Sequence, residues 1–349
     1  MKRTYAAKIL ALCVVLPLLM ALSLLLGSVS ISPHSIWSAL SSPAASALDP
    51  GEAAISPDPH TIIIRTVRLP RILTAVGAGA GLGLAGLLMQ TVFRNALAGP
   101  GVLGVSAGAG LGVALTLLAG IGGQAAAPTT IAAIAGSGVV LAVMVGVNRV
   151  VDQPVLLLVL GLLFGYAANA VTTLLMASSP TEGLERYIVW SFGSFALPPG
   201  PAPFTLVVVA VAAALLLSFA GPTIDALLLG SAYAESSGVH AKRTQGALIL
   251  LAGTLTGLIT AFAGPISFLG VAVPHIARSW LKSSRHRLLA PATALVGSLL
   301  AVGADLVSRV PGSGRVLPLN AVTALVGVPV VLAVVLRAYR DTSGRGSGL

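Results

Sequence analysis

The 349 residues are 56% hydrophobic and only 9% charged, against roughly 25% charged in a soluble domain, so the chain cannot cover itself with a water-compatible surface. At about 20 residues per bilayer-crossing helix, ten spans account for the apolar fraction, and the composition describes an all-α, polytopic membrane protein forming one transmembrane domain over residues 1–349. The net charge of +10 does not point to nucleic acid, because Lys and Arg stand singly between apolar runs and form no basic stripe. The single cysteine, Cys13, excludes a disulfide framework and a cysteine-based metal site.

In chain order, Lys2, Arg3 and Lys8 lead into an apolar run from Ile9 to Gly27. This start resembles a secretion signal, but the run is long enough to span and no convincing small-residue cleavage site follows, so it reads as a retained first span. Residues 28–66, rich in Ser, Pro and Ala and carrying Trp37 in a short amphipathic stretch, read as an outer loop with one interfacial helix. Nine further spans are expected at 69–91, 102–120, 129–149, 154–178, 202–220, 243–262, 266–281, 288–308 and 320–339, with a cytoplasmic loop at 222–242 and a disordered tail at 341–349.

Ten spans return both termini to one side. Counting by loop, that side holds fourteen Lys and Arg and four acids, while the other holds six and six, so the whole excess of +10 lies on one face. Cytoplasmic loops carry such an excess, which places both termini on the cytoplasmic side.

An ion-coupled transporter keeps titratable groups in its spans. Asp305 and His275 are the candidates here, and Asp305 has Arg309 four residues on, the spacing of a helical ion pair, so a structural role is preferred over a proton relay. The spans hold no clustered carboxylates, Ser-base pair or paired His that would make an intramembrane enzyme, and no G-x-x-x-x-G-K-[ST] phosphate loop occurs. Transport against a gradient would draw its energy from another polypeptide.

The motifs then narrow the class. Arg68-Leu69-Pro70-Arg71 opens a Gly/Ala-rich run ending near Gln90; Arg94-Asn95-Ala96-Leu97-Ala98-Gly99-Pro100 follows; later come Trp190-Ser191-Phe192-Gly193-Ser194, Gly264-Pro265-Ile266-Ser267-Phe268-Leu269-Gly270, Pro274-His275-Ile276-Ala277-Arg278, Leu317-Pro318 and Gly327-Val328-Pro329. Their order and spacing, from about Gly27 to Arg337, closely resembles the FecCD-type permeases, membrane subunits of ATP-binding-cassette importers for iron-siderophores, haem and cobalamin. That resemblance implies a permease, not an enzyme, with no cofactor of its own. It implies a second permease subunit, identical or related, a cytoplasmic ATPase dimer, an external substrate-binding protein and surrounding membrane lipid.

Residue by residue, the resemblance assigns Arg68, Arg71 and Arg309 to docking of the binding protein, although arginines at such depths also snorkel. It assigns Leu229, Gly230, Tyr233, Ala234, Gly238 and Val239 to a coupling loop that plugs into the ATPase, with the glycines making the bends and Leu229, Tyr233 and Val239 the apolar contacts. Ser231 stands where the family carries an acid. The pathway is expected along Tyr166, Asn169 and Thr173 in the fifth span and Asn320 and Thr323 in the tenth, each set sharing one helical face; helix packing is the competing reading for such small polar residues and the preferred one for Gly83 and Gly86. Ala96, Gly99 and Asn320 depart from the family pattern, the last at the outer gate or the substrate lining. Finally, residues 98–105 recur approximately as 263–271, on opposite membrane faces in this topology, as inverted repeats would place them, or by coincidence in so Gly-rich a chain.

The expected substrate is a metal chelate, most readily an iron(III)-siderophore; haem and cobalamin are equally compatible with such a lining. The competing class is an ion-coupled secondary transporter of a small polar solute.

Overall fold

The computed structural model describes residues 2–27, 31–41, 59–121, 126–151, 153–197, 200–309 and 316–343, and no strand occurs among them. Its helices are α1 (Lys2–Leu25), α2 (Pro33–Ser41), α3 (Pro59–Ile62), α4 (Leu69–Val92), α5 (Val105–Leu117), α6 (Ala126–Val150), α7 (Pro154–Ser178), α8 (Thr181–Ser191), α9 (Pro201–Phe219), α10 (Gly221–Leu228), α11 (Ser231–Ser236), α12 (Ala241–Ala263), α13 (Leu269–Leu281), α14 (His286–Ser308) and α15 (Leu319–Ser343). All ten expected spans appear as helices, several beginning at the proline that presets the first turn, as at Pro154 and Pro201. Among the described residues, seven apolar helices are long enough to cross a bilayer.

Helix α4 is the axis of the fold. Most of its residues are buried, and α9, α12, α13 and α14 pack around it. Small residues let backbones approach closely where hydrocarbon offers no hydrophobic drive. A Cβ on Gly86 would overlap the Gly270 carbonyl of α13, and Gly79 and Gly297 exclude each other's side chains where α4 crosses α14. The packing reading of the α4 glycines therefore holds. Gln90, on the same face, donates to the Val271 carbonyl (3.2 Å) and accepts from Arg278 (2.6 Å).

Three sequence expectations change. The outer loop ends at residue 58, because α3 runs through a π-helical stretch, Ile63–Arg68, straight into α4. A proline ring collides with the carbonyl four residues back; Pro70 would meet that of Thr66, and the wider π spacing beside it relieves the clash. The tail does not begin at 341, since Asp341–Ser343 close α15; the remainder, 344–349, lies outside the described residues, as do 28–30 and 42–58 of the outer loop. Within that loop α2 is a helix, with Trp37 exposed and Ala39 buried against Ile64 and Ile72.

The third change concerns spans three and eight. Helices α5 and α13 have 13 residues each, about 20 Å, short of a ~30 Å hydrocarbon core. Each is preceded by backbone that is not α-helical: a 3-10 turn, Pro100–Leu103, within 99–104, and the helix-free segment 264–268. These are the two halves of the internal echo, and they do not lie on opposite faces: a Cβ on Gly270 would touch Pro100, and one on Gly99 would touch Val271 at 2.7 Å. Both broken segments meet beside Leu82, near the middle of α4.

Candidate translocation and coupling sites

Tyr166, Asn169 and Thr173 form one exposed face of α7, Tyr166 being 68% exposed. Thr173 donates back to the Asn169 carbonyl (2.9 Å), which satisfies its hydroxyl within the helix. Among the described residues the Asn169 amide has no such partner. An amide at mid-span is costly against acyl chains, so this face suits a partner helix or an aqueous passage. One turn before Tyr166, Leu162 lines a cavity of about 410 Å³ at the meeting of the broken segments, with Pro100, Ser106, Thr256, Pro265 and Phe268. Sequence reasoning missed this cavity; its signal was the repeated Gly-Pro pair, Gly99-Pro100 and Gly264-Pro265. A larger cavity of about 830 Å³ between α5, α6 and α7 is lined almost wholly by apolar residues and offers a polar chelate nothing.

The α15 half of the expected lining is corrected. Thr323 is 2% exposed, its hydroxyl on the Asn320 carbonyl (3.2 Å). Asn320 is a clip: its amide donates to the Ser191 carbonyl at the end of α8 (3.0 Å) and accepts from the Ser267 N–H (2.9 Å), while its own N–H donates to the Phe192 carbonyl (3.1 Å). Asn320 thus ties α15, α8 and the broken segment 264–268 together, and neither residue lines an open passage in this conformation.

At the opposite end of α4, the three arginines are not free cations. Arg71 donates to Asp305 (2.7 Å) and Arg309 lies 3.2 Å from its second oxygen. Asp305 is 1% exposed, so both guanidinium groups converge on a carboxylate buried in α14. Arg309 also reaches the Ser23 hydroxyl and, at 3.4 Å, the Leu26 carbonyl. Arg68, itself buried, donates to the carbonyls of Leu24 and Leu25. The arginines thus saturate the C-terminal carbonyls of α1, where a helix end leaves acceptors unmatched, and clasp α1, α4 and α14. The expected Asp305–Arg309 pair exists, but Arg71 is a partner the sequence did not reveal. His275 is engaged too, with Nε2 on the Ala96 carbonyl (2.6 Å).

The loop that the resemblance assigns to coupling folds into two short helices, α10 and α11, bent at Gly230 (φ +124°) and closed at Gly238 (φ +81°), conformations that glycine reaches without penalty. Leu229 and Tyr233 stand out from it, 68% and 51% exposed. Ala234 and Val239 are corrected: Ala234 is buried and Val239 half-buried against the chain's own core, and the Val239 N–H closes the bend on the Ala234 carbonyl (2.8 Å). The double variant Leu229→Ala, Tyr233→Ala is therefore expected to unfold at the wild-type temperature while losing most ATPase co-purification, measured by pull-down from mild detergent.

Sequence reasoning also missed how this loop is fastened. Asp225 of α10 accepts from both the ring Nδ1 (2.6 Å) and the backbone N–H (3.0 Å) of His286, the first residue of α14. The far ring nitrogen, Nε2, lies 2.8 Å from the Thr91 hydroxyl at the end of α4, which in turn donates to the Leu87 carbonyl (2.9 Å). His286 is 1% exposed. Partial burial alone would raise the Asp225 carboxyl, but the two hydrogen bonds from His286, with the charges of His286 and Arg285, outweigh it and hold the group below the ordinary aspartate value. A carboxylate capping the positive end of α14 adds a favourable dipole contact.

Comparison with known proteins agrees with this architecture. Residues 14–337 match the FecCD transport family. The chain is 34% identical to the vitamin B12 import system permease protein BtuC of Vibrio cholerae, over 91% of this chain and 90% of the relative. It is 34% identical to the ferric enterobactin transport system permease protein FepD of Escherichia coli, over 97% of each. Among solved structures, a metal-chelate type ABC transporter in an inward-facing conformation superposes with a TM-score of 0.81 at 27% identity, over 95% of this chain and 99% of that one. The polytopic helical fold is that of an importer permease, and the chain belongs to the FecCD transport family.

Proposed function

We propose that this chain is the membrane subunit of an ATP-binding-cassette importer carrying an iron(III)-siderophore into the cytoplasm, paired with a second permease subunit and driven by a separate ATPase dimer. The observation that carries it is the uncovered polar face of α7, Tyr166, Asn169 and Thr173, running beside the cavity between the two broken segments. In a dimer these faces oppose each other across a passage whose hydroxyl and amide groups suit a chelate already wrapped by its ligand, so that no protein group has to coordinate the metal. The loop 222–242 receives the ATPase through Leu229 and Tyr233, and closure of the ATPases switches the passage between outward-open and inward-open states. Both termini lie in the cytoplasm, which puts the arginine clasp at the external end. There Arg71 and Arg309 supply the positive field that orients the acidic surface of a binding protein, while Arg68 positions the α1 end beside them.

Cobalamin is the second reading, favoured by the 34% identity to a vitamin B12 permease. Proteoliposomes containing the permease, its co-purified ATPase and its binding protein distinguish the two. ATP-dependent accumulation of a radiolabelled ferric siderophore, with cobalamin left outside, is the expected outcome; the reverse establishes cobalamin. Uptake that ignores ATP and collapses with an uncoupler removes the importer reading altogether.

A further inference from the structure

A cavity of about 490 Å³ opens between α1, α13 and α15 at the end of the bundle away from the arginine clasp, lined by Lys8, His275, Ile276, Ser279, Trp280, Lys282, Val330 and Ala333. No acid is among these residues. Its polar lining residues are Lys8, Lys282, Ser279 and His275, and Ile276, Val330 and Ala333 are aliphatic. Lys8 is held in place: Nζ donates to the Trp280 carbonyl (2.7 Å), and the Trp280 indole N–H returns toward the Lys8 carbonyl (3.4 Å). That leaves two of the ammonium's three donors for a ligand. Trp280 is exposed at the mouth, where an indole sits at headgroup depth.

Lys282 is the less expected residue. It ends α13 at φ +55°, in the left-handed region, a position that glycine fills at many helix ends without strain. Here a side-chain-bearing residue takes the penalty and sets a second cation beside the same cavity.

We propose that this cavity binds an anionic phospholipid: the phosphodiester between Lys8 and Lys282, with Ser279 as a further donor, and one acyl chain descending along Ile276, Val330 and Ala333. Basic pockets between membrane helices on the cytoplasmic side bind anionic headgroups in this way. The bound lipid bridges α1 to α13 and α15, and so lies against the two helices, α13 and α15, whose N-terminal ends contact Phe268 and the broken segment 264–268.

The test uses Trp280 as reporter. The chain has three tryptophans, Trp37, Trp190 and Trp280, so the full-length permease with Trp37→Phe and Trp190→Phe emits from the site alone. It is reconstituted in nanodiscs of phosphatidylcholine with increasing fractions of chain-brominated phosphatidylglycerol, or of chain-brominated phosphatidylcholine as control. Quenching that saturates at low phosphatidylglycerol fraction, while the control rises in proportion to its content, is expected. Lys8→Gln with Lys282→Gln is expected to weaken the preference about fivefold for each lysine at an unchanged unfolding temperature. Superimposable curves for the two lipids, or a preference that survives the double substitution, overturn the proposal. Displacement by millimolar inorganic phosphate overturns it as well, since the site would then take a free anion. A nanodisc offers the same lipid to both leaflets, so the outcome stands apart from whether the proposed orientation is right.

Discussion

Asp305→Ala is expected to be the most damaging single substitution in the protein. The carboxylate is buried and answers two guanidinium groups, Arg71 at 2.7 Å and Arg309 at 3.2 Å. Removing it leaves two cations with water excluded and no counter-charge. Breaking a buried ion pair from one side costs about 3–5 kcal/mol, and here two pairs break at once while α1 loses its anchor through Ser23. The variant should be nearly absent from membranes, and what is recovered should unfold far below the wild-type temperature in a detergent melt. Replacing the triad with apolar residues, Arg71→Met with Asp305→Leu and Arg309→Met, should restore much of the yield, because the desolvation cost disappears along with the attraction. This series also separates the two classes of transporter. If Asp305 carried an ion, Asp305→Asn would fold and fail to transport; as a clasp, the folded fraction of Asp305→Asn transports at the wild-type rate per molecule.

The second large effect is expected at the fastening of the coupling loop. Asp225→Ala removes the acceptor for two His286 donors, one of them the N–H that opens α14. Leaving buried donors unmatched costs about 1–3 kcal/mol, which a bundle of this size survives. The functional loss should be greater than the loss of stability, because α10 would no longer move with α14 and α4. ATPase assays on the reconstituted complex should show near-normal basal hydrolysis, binding-protein stimulation reduced about tenfold, and uptake reduced at least as much. Asp225→Asn keeps an acceptor and should restore most of the stimulation; a merely structural defect would depress basal and stimulated rates together. The pH dependence follows from the depressed carboxyl. Because the unfolded chain binds the proton more readily, the contribution is complete above about pH 4 and fades as pH falls further, through the folded value. Stimulation should therefore be insensitive to this group across neutral pH, and a loss beginning near pH 6 would point to a different titrating group.

How far the sequence reached depended on the range of each interaction. Hydropathy places every span, and α7 and α9 begin within one residue of expectation, because apolar runs bounded by proline are local signals. The coupling-loop bends were legible for the same reason, glycine being the residue that tolerates a positive φ at 230 and 238. The broken spans were not, since 99–104 and 264–268 carry no charged residue and a span-length hydropathy window does not register a lost helical turn. Long-range partners were hidden altogether. Nothing near Arg71 names Asp305, and Asp225, His286 and Thr91 are ordinary residues in three separate segments until the bundle brings them together. Asn320 and Thr323 share a helical face with each other, but a periodicity cannot say whether that face looks into a passage or against Phe268.

The glycine-lined surface of α4 also constrains how the protein can be made. Gly77, Gly79, Gly81, Gly83 and Gly86 give this helix grooves fitted to α9, α12, α13 and α14, all of which leave the ribosome later. Until they arrive, the grooves are filled only by lipid chains. Helix α13, about 20 Å long, is too short to hold a transmembrane position unaided and depends on α4 already standing in the bilayer. Biogenesis thus places the future centre early: after α1, α4 is inserted as the least self-sufficient surface, and each later helix is both cargo for the insertion machinery and scaffold for what preceded it. A chain truncated after α8 would be left with an unfilled centre, which makes it a natural substrate for membrane quality-control proteases.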